Sequence, residues 1–308
     1  MKVDVLGVKI DALPKGEVLR QIAERLGRGE QTFIVTPYSE SIVAAQRDAG
    51  FRAILNSADF TLPDGVGVLW AAHFARLEIK GLRFKRAEVL SQLIYSLISI
   101  IFNPKSIRDP IPEKISGAEF VWDLAGLAAK QNKSVYLLGG FGDTSQRAGE
   151  RLQQKFPGLR IAGTYSPLPQ SLPPLGPELE AEGPGEGKKK NSSSPQGGGG
   201  GGEGGELIEI INSSGADFLF AALGPKRQEK WIYENRLKLA PKVLIGLGGT
   251  FDYLAGKRAY RPQFWALRGL EWLWRLLTQP WRIGRISKGV LGLIYYVCKK
   301  SISAPAQN

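Results

Sequence analysis

The chain has 308 residues, 43% of them hydrophobic, and carries a formal net charge of +12. One cysteine, Cys298, and one histidine, His73, exclude an internal disulfide and argue against a Cys/His zinc site. The positive charge favours an anionic partner: nucleic acid, anionic lipid or a phosphate-bearing substrate. The N-terminus lacks a signal-peptide pattern, and no apolar run reaches the ~20 residues of a spanning helix, so we expect a cytosolic protein, peripheral to the membrane at most.

The first part of the chain alternates between strand and helix patterns. Residues 3–10 alternate weakly as one strand, and residues 15–26 have the spacing of a helix. The apolar strand Thr32–Val35 ends in the polar run Thr36–Glu40, and a helix is predicted over residues 40–49. Polar residues at this strand end are the first sign of a ligand cleft.

The stretch Ala58–Gly67 gives the second sign, because it predicts a short strand that stops at a turn and leads into a helix. Phe60 and Leu62 alternate with polar neighbours, as on a half-buried strand, and a proline and a glycine flank Asp64. In open α/β sheets ligands bind at the carboxyl ends of the strands, so Asp64 and Thr36 would face one cleft. An Asp at this position is also a good helix N-cap, and the sequence leaves both roles open.

Residues 84–113 form an apolar insertion. Its apolar residues recur at helical spacing between residues 89 and 102. Basic residues lie before and after this apolar run: Arg83, Lys85, Arg86, Lys105 and Arg108. The predicted helix is too short to span a bilayer. It therefore either covers a face of the core or lies in the membrane interface.

The rest of the α/β pattern consists of apolar strands that end in glycine or polar residues. A helix opens at Ser116, with Glu119 three residues on in a capping-box arrangement. Buried strands are predicted over residues 135–142, 159–163, 216–224 and 243–252. The glycine pairs Gly139-Gly140 and Gly248-Gly249 would let backbone N–H groups approach a phosphate. This alternation predicts a doubly wound, mostly parallel α/β sheet with right-handed crossovers.

Composition marks a loop and a distinct C-terminal part. Residues 167–206 are of low complexity and predict a disordered surface loop, to which we assign no function. Residues 257–300 hold ten Lys or Arg against one acid, Glu271, and four of the seven tryptophans. This suits an anionic membrane surface, with a helix pair bearing a solvated basic face as the alternative. We divide the chain into an α/β domain, residues 1–256, and a basic, membrane-prone helical appendage, residues 257–308.

Seven segments, which occur in the order typical of the family, resemble segments of the WecG/TagA/CpsF glycosyltransferases. They are Thr36–Glu40, Leu62–Gly65, Ile115–Gly117, Leu137–Gly140, Gly224–Glu229, Gly248–Gly256, and Glu271–Leu276 with Pro280, Arg282 and Arg285. The resemblance implies a Rossmann-like fold with a C-terminal appendage. It also implies an inverting enzyme of cell-surface polysaccharide or teichoic-acid-type synthesis at the cytoplasmic membrane face. Such enzymes typically transfer N-acetylmannosamine from UDP to polyprenyl-diphosphate-linked N-acetylglucosamine.

The resemblance further implies roles for individual residues. Asp64 would take the acceptor hydroxyl proton as a base, and Thr36 would orient a sugar hydroxyl. The other implied residues would bind the substrates: Tyr38, Gly139, Gly140, Gln228, Gly248, Gly249, Asp252, Arg258, Arg261, Arg275, Arg282 and Arg285. No cluster of carboxylates resembles a Mg²⁺ site, so we expect transfer without a metal or other cofactor.

The chain also departs from the family pattern. Tyr38 stands where Asn is usual, Glu119 where Asp is usual, and the proline of the Gly-x-Pro-Lys-Gln-Glu motif is displaced to Pro225. The change at Tyr38 leaves a catalytically silent UDP-sugar-binding relative as an alternative. A basic nucleic-acid-binding protein is a weaker alternative, because the charge lies beside apolar runs at the C-terminus. Whether the chain forms a homo-oligomer is left open.

Overall fold

The computed structural model describes residues 1–77, 85–103, 105–166, 202–259, 274, 277–278 and 283–303. Its strands are β1 (Lys2–Val5), β2 (Val8–Asp11), β3 (Thr32–Val35), β4 (Phe60–Thr61), β5 (Ser134–Gly139), β6 (Arg160–Tyr165), β7 (Phe218–Ala222) and β8 (Val243–Gly246). The last six form one sheet in the order β4-β3-β8-β7-β5-β6, and every neighbouring pair is parallel. The predicted doubly wound α/β sheet is therefore confirmed.

Helices cover both faces of this sheet. They are α1 (Lys15–Gly27), α2 (Ser39–Arg47), α3 (Ala49–Asn56), α4 (Val66–Phe74), α5 (Lys85–Phe102), α6 (Gly117–Lys130), α7 (Thr144–Lys155), α8 (Gly202–Ser213), α9 (Arg227–Asn235), α10 (Thr250–Leu254) and α11 (Ile283–Ser303). Successive strand residues point to opposite faces, so Phe33 packs on the side of α2, α3 and α4 while Ile34 packs with α1 and α6. Burial on both faces explains why the strands are almost wholly apolar.

The N-terminal segment is a hairpin and not the single strand that its weak alternation predicted. β1 and β2 pair antiparallel around Leu6 and Gly7, which have positive φ angles of 53° and 85°. A leucine gives no turn signal, which is why the sequence concealed this turn. The hairpin also covers β4, where Asp11 Oδ2 accepts the N–H of Thr61 at 2.7 Å. Thr61 is therefore fully buried, and the prediction of a half-buried strand at this point was wrong.

Two predicted boundaries were also wrong. The helix predicted over residues 40–49 is two helices, because Asp48 leaves the helical conformation (φ −126°, ψ 96°) and caps α3 by accepting the Phe51 N–H at 2.8 Å. The apolar periodicity continues across this break and conceals it. The loop predicted over residues 167–206 ends earlier, because α8 already begins at Gly202. Residues 167–201 lie outside the described residues.

Two helices lie outside the regular strand–helix alternation. α5, the helix predicted in the insertion, is attached through Val89 and through Ser96, whose Oγ accepts the Trp70 Nε1–H at 2.9 Å. α11, from the appendage, packs along α2 and contacts α4 and α5. Among the residues that the structure describes, no helix is long and apolar enough to cross a membrane.

Candidate active site

The carboxyl ends of the six parallel strands lie along one edge of the sheet, which we call the strand-end edge. The loops after β3 and β4 are joined there, because the Asp64 N–H donates to Pro37 O at 3.1 Å. The segment that leads into α6 joins them, because the Ile115 N–H donates to Pro63 O at 2.9 Å. Three loops, distant in sequence, thus meet at the point where ligands bind in open α/β sheets.

Asp64 does not cap the helix that follows it. The N-cap residue of α4 is Gly65, which has no side chain with which to cap the helix. Asp64 Oδ2 instead accepts the N–H of Gly117, the first residue of α6, at 3.3 Å. The half-buried carboxylate therefore lies at the N-terminus of α6, where the helix dipole favours a negative charge. The alternative that Asp64 caps α4 was wrong.

Thr36 reaches the same point from β3. A Cβ on Gly117 would lie 3.1 Å from Thr36 Oγ1, so a glycine lets α6 begin this close to the end of β3. Thr36 and Asp64, which the sequence placed in one cleft, are both brought against Gly117. Tyr38 follows two residues after Thr36, as the N-cap residue of α2. The catalytic and binding roles of these residues stay predictions.

Ser116 lies beside these residues and was missed as a site residue. It is the N-cap residue of α6, but its side chain makes no capping hydrogen bond, so the serine half of the predicted capping box is absent. The residue is 1% exposed, and its Oγ has no hydrogen-bond partner among the described residues. A buried hydroxyl without a partner is destabilising, which makes Ser116 a further candidate for contacting a substrate.

Gln228 fixes the turn after β8. Its Oε1 accepts the Gly248 N–H at 2.8 Å, and its Nε2 donates to Glu229 Oε1 at 2.8 Å. Both side chains are buried, and burial raises the pKa of the Glu229 carboxyl. Gln228 therefore shapes the predicted glycine turn, and its predicted contact with the donor stays a prediction.

The turn after β5 depends on glycine. Gly139 and Gly140 have φ angles of 111° and 77°. A Cβ on Gly139 would collide with the carbonyl oxygen of Ala222, and one on Gly140 would lie 2.9 Å from Thr144 Cβ. The chain thereby turns directly from β5 into the N-terminus of α7, as the sequence predicted, and nucleotide binding at this turn stays a prediction.

Lys257, which sequence reasoning missed, fastens this turn from the start of the appendage. Its Nζ lies 2.6 Å from Asp143 Oδ1 and donates to Thr144 Oγ1 at 2.7 Å and to Phe141 O at 3.2 Å. The Lys257 ammonium holds the pKa of the Asp143 carboxyl below its usual range. The sequence shows only that a lysine follows Gly256 directly. It does not show the partners of Lys257, because they lie far away in sequence.

Arg258 is the one predicted arginine whose side chain is described. Its Nη2 lies 3.1 Å from Asp252 Oδ2, so these two predicted site residues form an ion pair next to Gly249. Within the described ranges, no group of three or more His, Cys, Asp or Glu side chains is placed to hold a metal ion. Outside the described side chains lie the other four predicted arginines: Arg261, Arg275, Arg282 and Arg285.

The comparison with known families agrees with this arrangement. The model of the Glycosyl transferase WecG/TagA/CpsF family matches residues 3–99 and 98–307. The chain belongs to this family. Like the other members of the WecG/TagA/CpsF family it is a glycosyltransferase, as the seven segments of the sequence indicated.

Relatives in the WecG/TagA/CpsF family share modest identity with the chain over most of its length. A Bacillus spizizenii relative is 28% identical over 259 residues, which cover 83% of this chain and 76% of the relative. Relatives from Staphylococcus aureus strains MRSA252 and NCTC 8325 are 22% identical over 300 residues, which cover 97% of this chain and 92% of each relative. All three are named N-acetylglucosaminyldiphosphoundecaprenol N-acetyl-beta-D-mannosaminyltransferase.

Proposed function

We propose that this glycosyltransferase moves N-acetylmannosamine from a UDP-sugar to polyprenyl-diphosphate-linked N-acetylglucosamine, with inversion at the sugar carbon. Support comes from the relatives, whose names contain this sugar and this type of acceptor. The observation that carries the proposal is the meeting of Asp64 and Thr36 at Gly117. The product would serve cell-surface polysaccharide or teichoic-acid-type synthesis.

In the proposed reaction, the bond between the sugar carbon and the UDP diphosphate breaks as a bond to the acceptor hydroxyl oxygen forms. UDP leaves with the bonding electrons, and the hydroxyl proton passes to a base. Asp64 is assigned as this base, because the Gly117 N–H and the joined loops fix its carboxylate at the strand-end edge. Thr36 is assigned to orient a sugar hydroxyl beside it.

The departing diphosphate gathers negative charge that the site must stabilise. Helices α7 and α9 begin at the strand-end edge, and their N-terminal N–H groups favour an anion. Arg258 and the arginines of the appendage are assigned to supply positive charge to UDP or to the lipid diphosphate. The proposal gives no role to a metal ion.

The lipid acceptor sets where the enzyme works. A polyprenyl diphosphate is anchored in the bilayer, so we place the protein at the inner face of the cell membrane as a peripheral protein. The ten basic residues between 257 and 300 support this placement, because anionic lipids attract such segments.

A donor screen tests the proposal. The full chain is incubated with UDP-N-acetylmannosamine, UDP-N-acetylglucosamine or UDP-glucose and a short-chain polyprenyl-diphosphate-N-acetylglucosamine. Mass spectrometry detects the disaccharide lipid, and NMR reports its anomeric configuration. We expect turnover with UDP-N-acetylmannosamine and inversion of configuration.

Tyr38 motivates the one alternative that the screen must separate. UDP binding without turnover of any donor would support a catalytically silent relative. In that case Tyr38→Asn, which restores the usual family residue, is the matched variant to assay. Retention of configuration in an active enzyme would contradict a single displacement at the sugar carbon.

A further inference from the structure

Ser116 is the N-cap residue of α6 by its backbone, but its side chain does not cap the helix. Its φ and ψ angles of −80° and 131° lie in the extended region, as is typical of an N-cap residue. A serine hydroxyl in this position usually accepts an N–H of the first helical turn. The Ser116 Oγ makes no such bond and has no other partner among the described residues, although the residue is 1% exposed. A capping group is therefore present at α6 and is not used.

Asp64 occupies the N-terminus of α6 instead. Its Oδ2 accepts the Gly117 N–H, and the helix dipole favours its negative charge at this point. The distance of 3.3 Å is longer than the ~2.9 Å of a typical N–H···O hydrogen bond, so this bond is weak. A weak bond to Gly117 is one that Asp64 can exchange for another partner.

The proposed reaction changes the arrangement at α6. Asp64 is assigned as the base, so its carboxylate turns to the acceptor hydroxyl and becomes a neutral carboxylic acid when it takes the proton. The neutral acid is stabilised less by the dipole of α6 than the carboxylate is. The N-terminus of α6 therefore opposes the proton transfer unless another group takes the place of Asp64.

We propose that Ser116 is a positioning residue that acts through Asp64, an inference that rests on the proposed function. When Asp64 turns from Gly117 to the acceptor, the Ser116 hydroxyl rotates about the Cα–Cβ bond and accepts an N–H of the first turn of α6. The acceptor proton passes to the Asp64 carboxylate, and Ser116 gains a hydrogen bond but exchanges no proton. The hydroxyl that lacks a partner in the resting protein thus finds one during the reaction.

A direct contact between Ser116 and a substrate is the other explanation of the missing partner. It is disfavoured because the Oγ atom is covered by protein, so a substrate would reach it only after a larger movement. The N–H groups of α6 follow Ser116 directly along the chain, and rotation of a single bond brings the hydroxyl to them. The two explanations differ in their kinetic effect. Loss of a substrate contact raises KM, whereas loss of a cap that forms only during the reaction lowers kcat.

The test compares Ser116→Ala with the parent in transfer assays and in thermal unfolding of the full chain. The resting protein loses no hydrogen bond in this variant, so the Tm should be parental or higher. We expect kcat to fall about five- to tenfold at unchanged KM for both substrates, because the usual effect of one N-cap corresponds to a factor of this size. Ser116→Thr keeps a hydroxyl that can cap and should retain most of the parental kcat.

Ser134→Ala is the matched control, because Ser134 is also a buried serine but has hydrogen-bond partners. Its Oγ lies 3.2 Å from Gly215 O and 3.1 Å from Asp217 Oδ2. Ser134 is the first residue of β5, so it lies at the other end of the strand from the strand-end edge. This variant should show the opposite pattern, with a lower Tm and a parental kcat.

A double-mutant cycle shows whether Ser116 acts through Asp64. Since Asn takes no proton, Asp64→Asn/Ser116→Ala should transfer as slowly as Asp64→Asn alone. A further loss of rate in the double variant would overturn the inference, because Ser116 would then act independently of Asp64.

Other results would overturn the inference in distinguishable ways. A parental kcat of Ser116→Ala beside a slow Asp64→Asn would refute the role of Ser116 alone. A raised KM at parental kcat would make Ser116 a substrate contact, and a lowered Tm would show that its hydroxyl is already bonded in the resting protein. Rapid transfer by Asp64→Asn would instead refute the base assignment in the proposed function, and the role of Ser116 with it.

Discussion

The two halves of the strand-end edge are built differently. In the half formed by β3 and β4, polar side chains contact the backbone of another loop: Asp64 accepts the Gly117 N–H, and Thr36 lies against the same glycine. These contacts bring a carboxylate and a hydroxyl to the same glycine, at a point where loops from three parts of the chain meet.

In the half formed by β5, β7 and β8, polar side chains form hydrogen bonds and an ion pair with one another and with the backbone of the turns. Gln228 is bonded to Glu229 and to the Gly248 N–H, and Lys257 is bonded to Asp143. We propose that the first half provides the reacting groups and that the second half fixes the shape of the turns that would admit the nucleotide. The following predictions test this division, from the largest expected effect to the smallest.

Gly139→Ala should disrupt the turn after β5, which belongs to the second half of the strand-end edge. The new Cβ would collide with the Ala222 carbonyl at a φ of 111°, so we expect a loss of about 2 to 6 kcal/mol of stability. Urea denaturation measures the loss. The control Gly158→Ala adds the same methyl group where no heavy atom lies within 4 Å, and it should be nearly neutral. Parental stability of Gly139→Ala would mean that this turn is not fixed as described.

Gly117→Ala should disturb the first half without unfolding the protein. The added Cβ would lie 3.1 Å from Thr36 Oγ1 and would displace this hydroxyl. We expect kcat to fall about tenfold, because a small displacement of a positioned group lowers the reaction rate strongly. Initial rates at saturating donor and acceptor measure this. Gly16→Ala is the matched control, since it lies in the first turn of α1 with open space around it. Equal rates for Gly117→Ala and Gly16→Ala would mean that the position of Thr36 does not affect the reaction.

Lys257→Met should loosen the turn after β5. Loss of the ion pair with Asp143 and of two hydrogen bonds should raise the KM for the donor about three- to tenfold with little change in kcat. Lys230→Met, which removes an exposed lysine of α9, is the control. A fall in kcat at unchanged KM would instead place Lys257 in the chemical step and contradict the division.

Glu229→Gln should have the smallest effect, on the pH dependence of stability. Burial raises the Glu229 pKa in the folded state, so the folded protein holds this proton to higher pH than the unfolded chain does. The stabilisation is complete below the unfolded pKa and is lost as pH rises through the folded pKa. The Tm of the parent should therefore fall more than that of Glu229→Gln between about pH 5 and pH 8. Parallel Tm profiles would mean that Glu229 is not held neutral.

Much of the fold could be predicted because its cause is local in sequence. β3 spans the predicted residues Thr32–Val35, since an apolar run bounded by polar residues suits a strand buried on both faces. The failures have local causes too. The turn at Leu6 and Gly7 lacks a strong turn signal, and the break at Asp48 lies inside a continuous apolar pattern.

The site could be predicted only in part. Parallel topology brings the ends of β3 and β4 to one edge, so placing Thr36 and Asp64 together needed only the order of the strands. The contact of Lys257 with Asp143 joins segments far apart in sequence, and nothing distinguished Lys257 from the other basic residues of the appendage. The orientation of Gln228 depends on Gly248 in the neighbouring loop, which local pattern does not encode.

The base assignment of Asp64 is the central claim, and single-turnover transfer by Asp64→Asn tests it most directly. Asn keeps the size of the side chain and an oxygen that can accept the Gly117 N–H, but it cannot take a proton. With both substrates saturating, we expect the transfer rate to fall about 10²- to 10⁴-fold. UDP affinity and Tm should stay at parental values. A rate within a few-fold of the parent would contradict the assignment of Asp64 as the base.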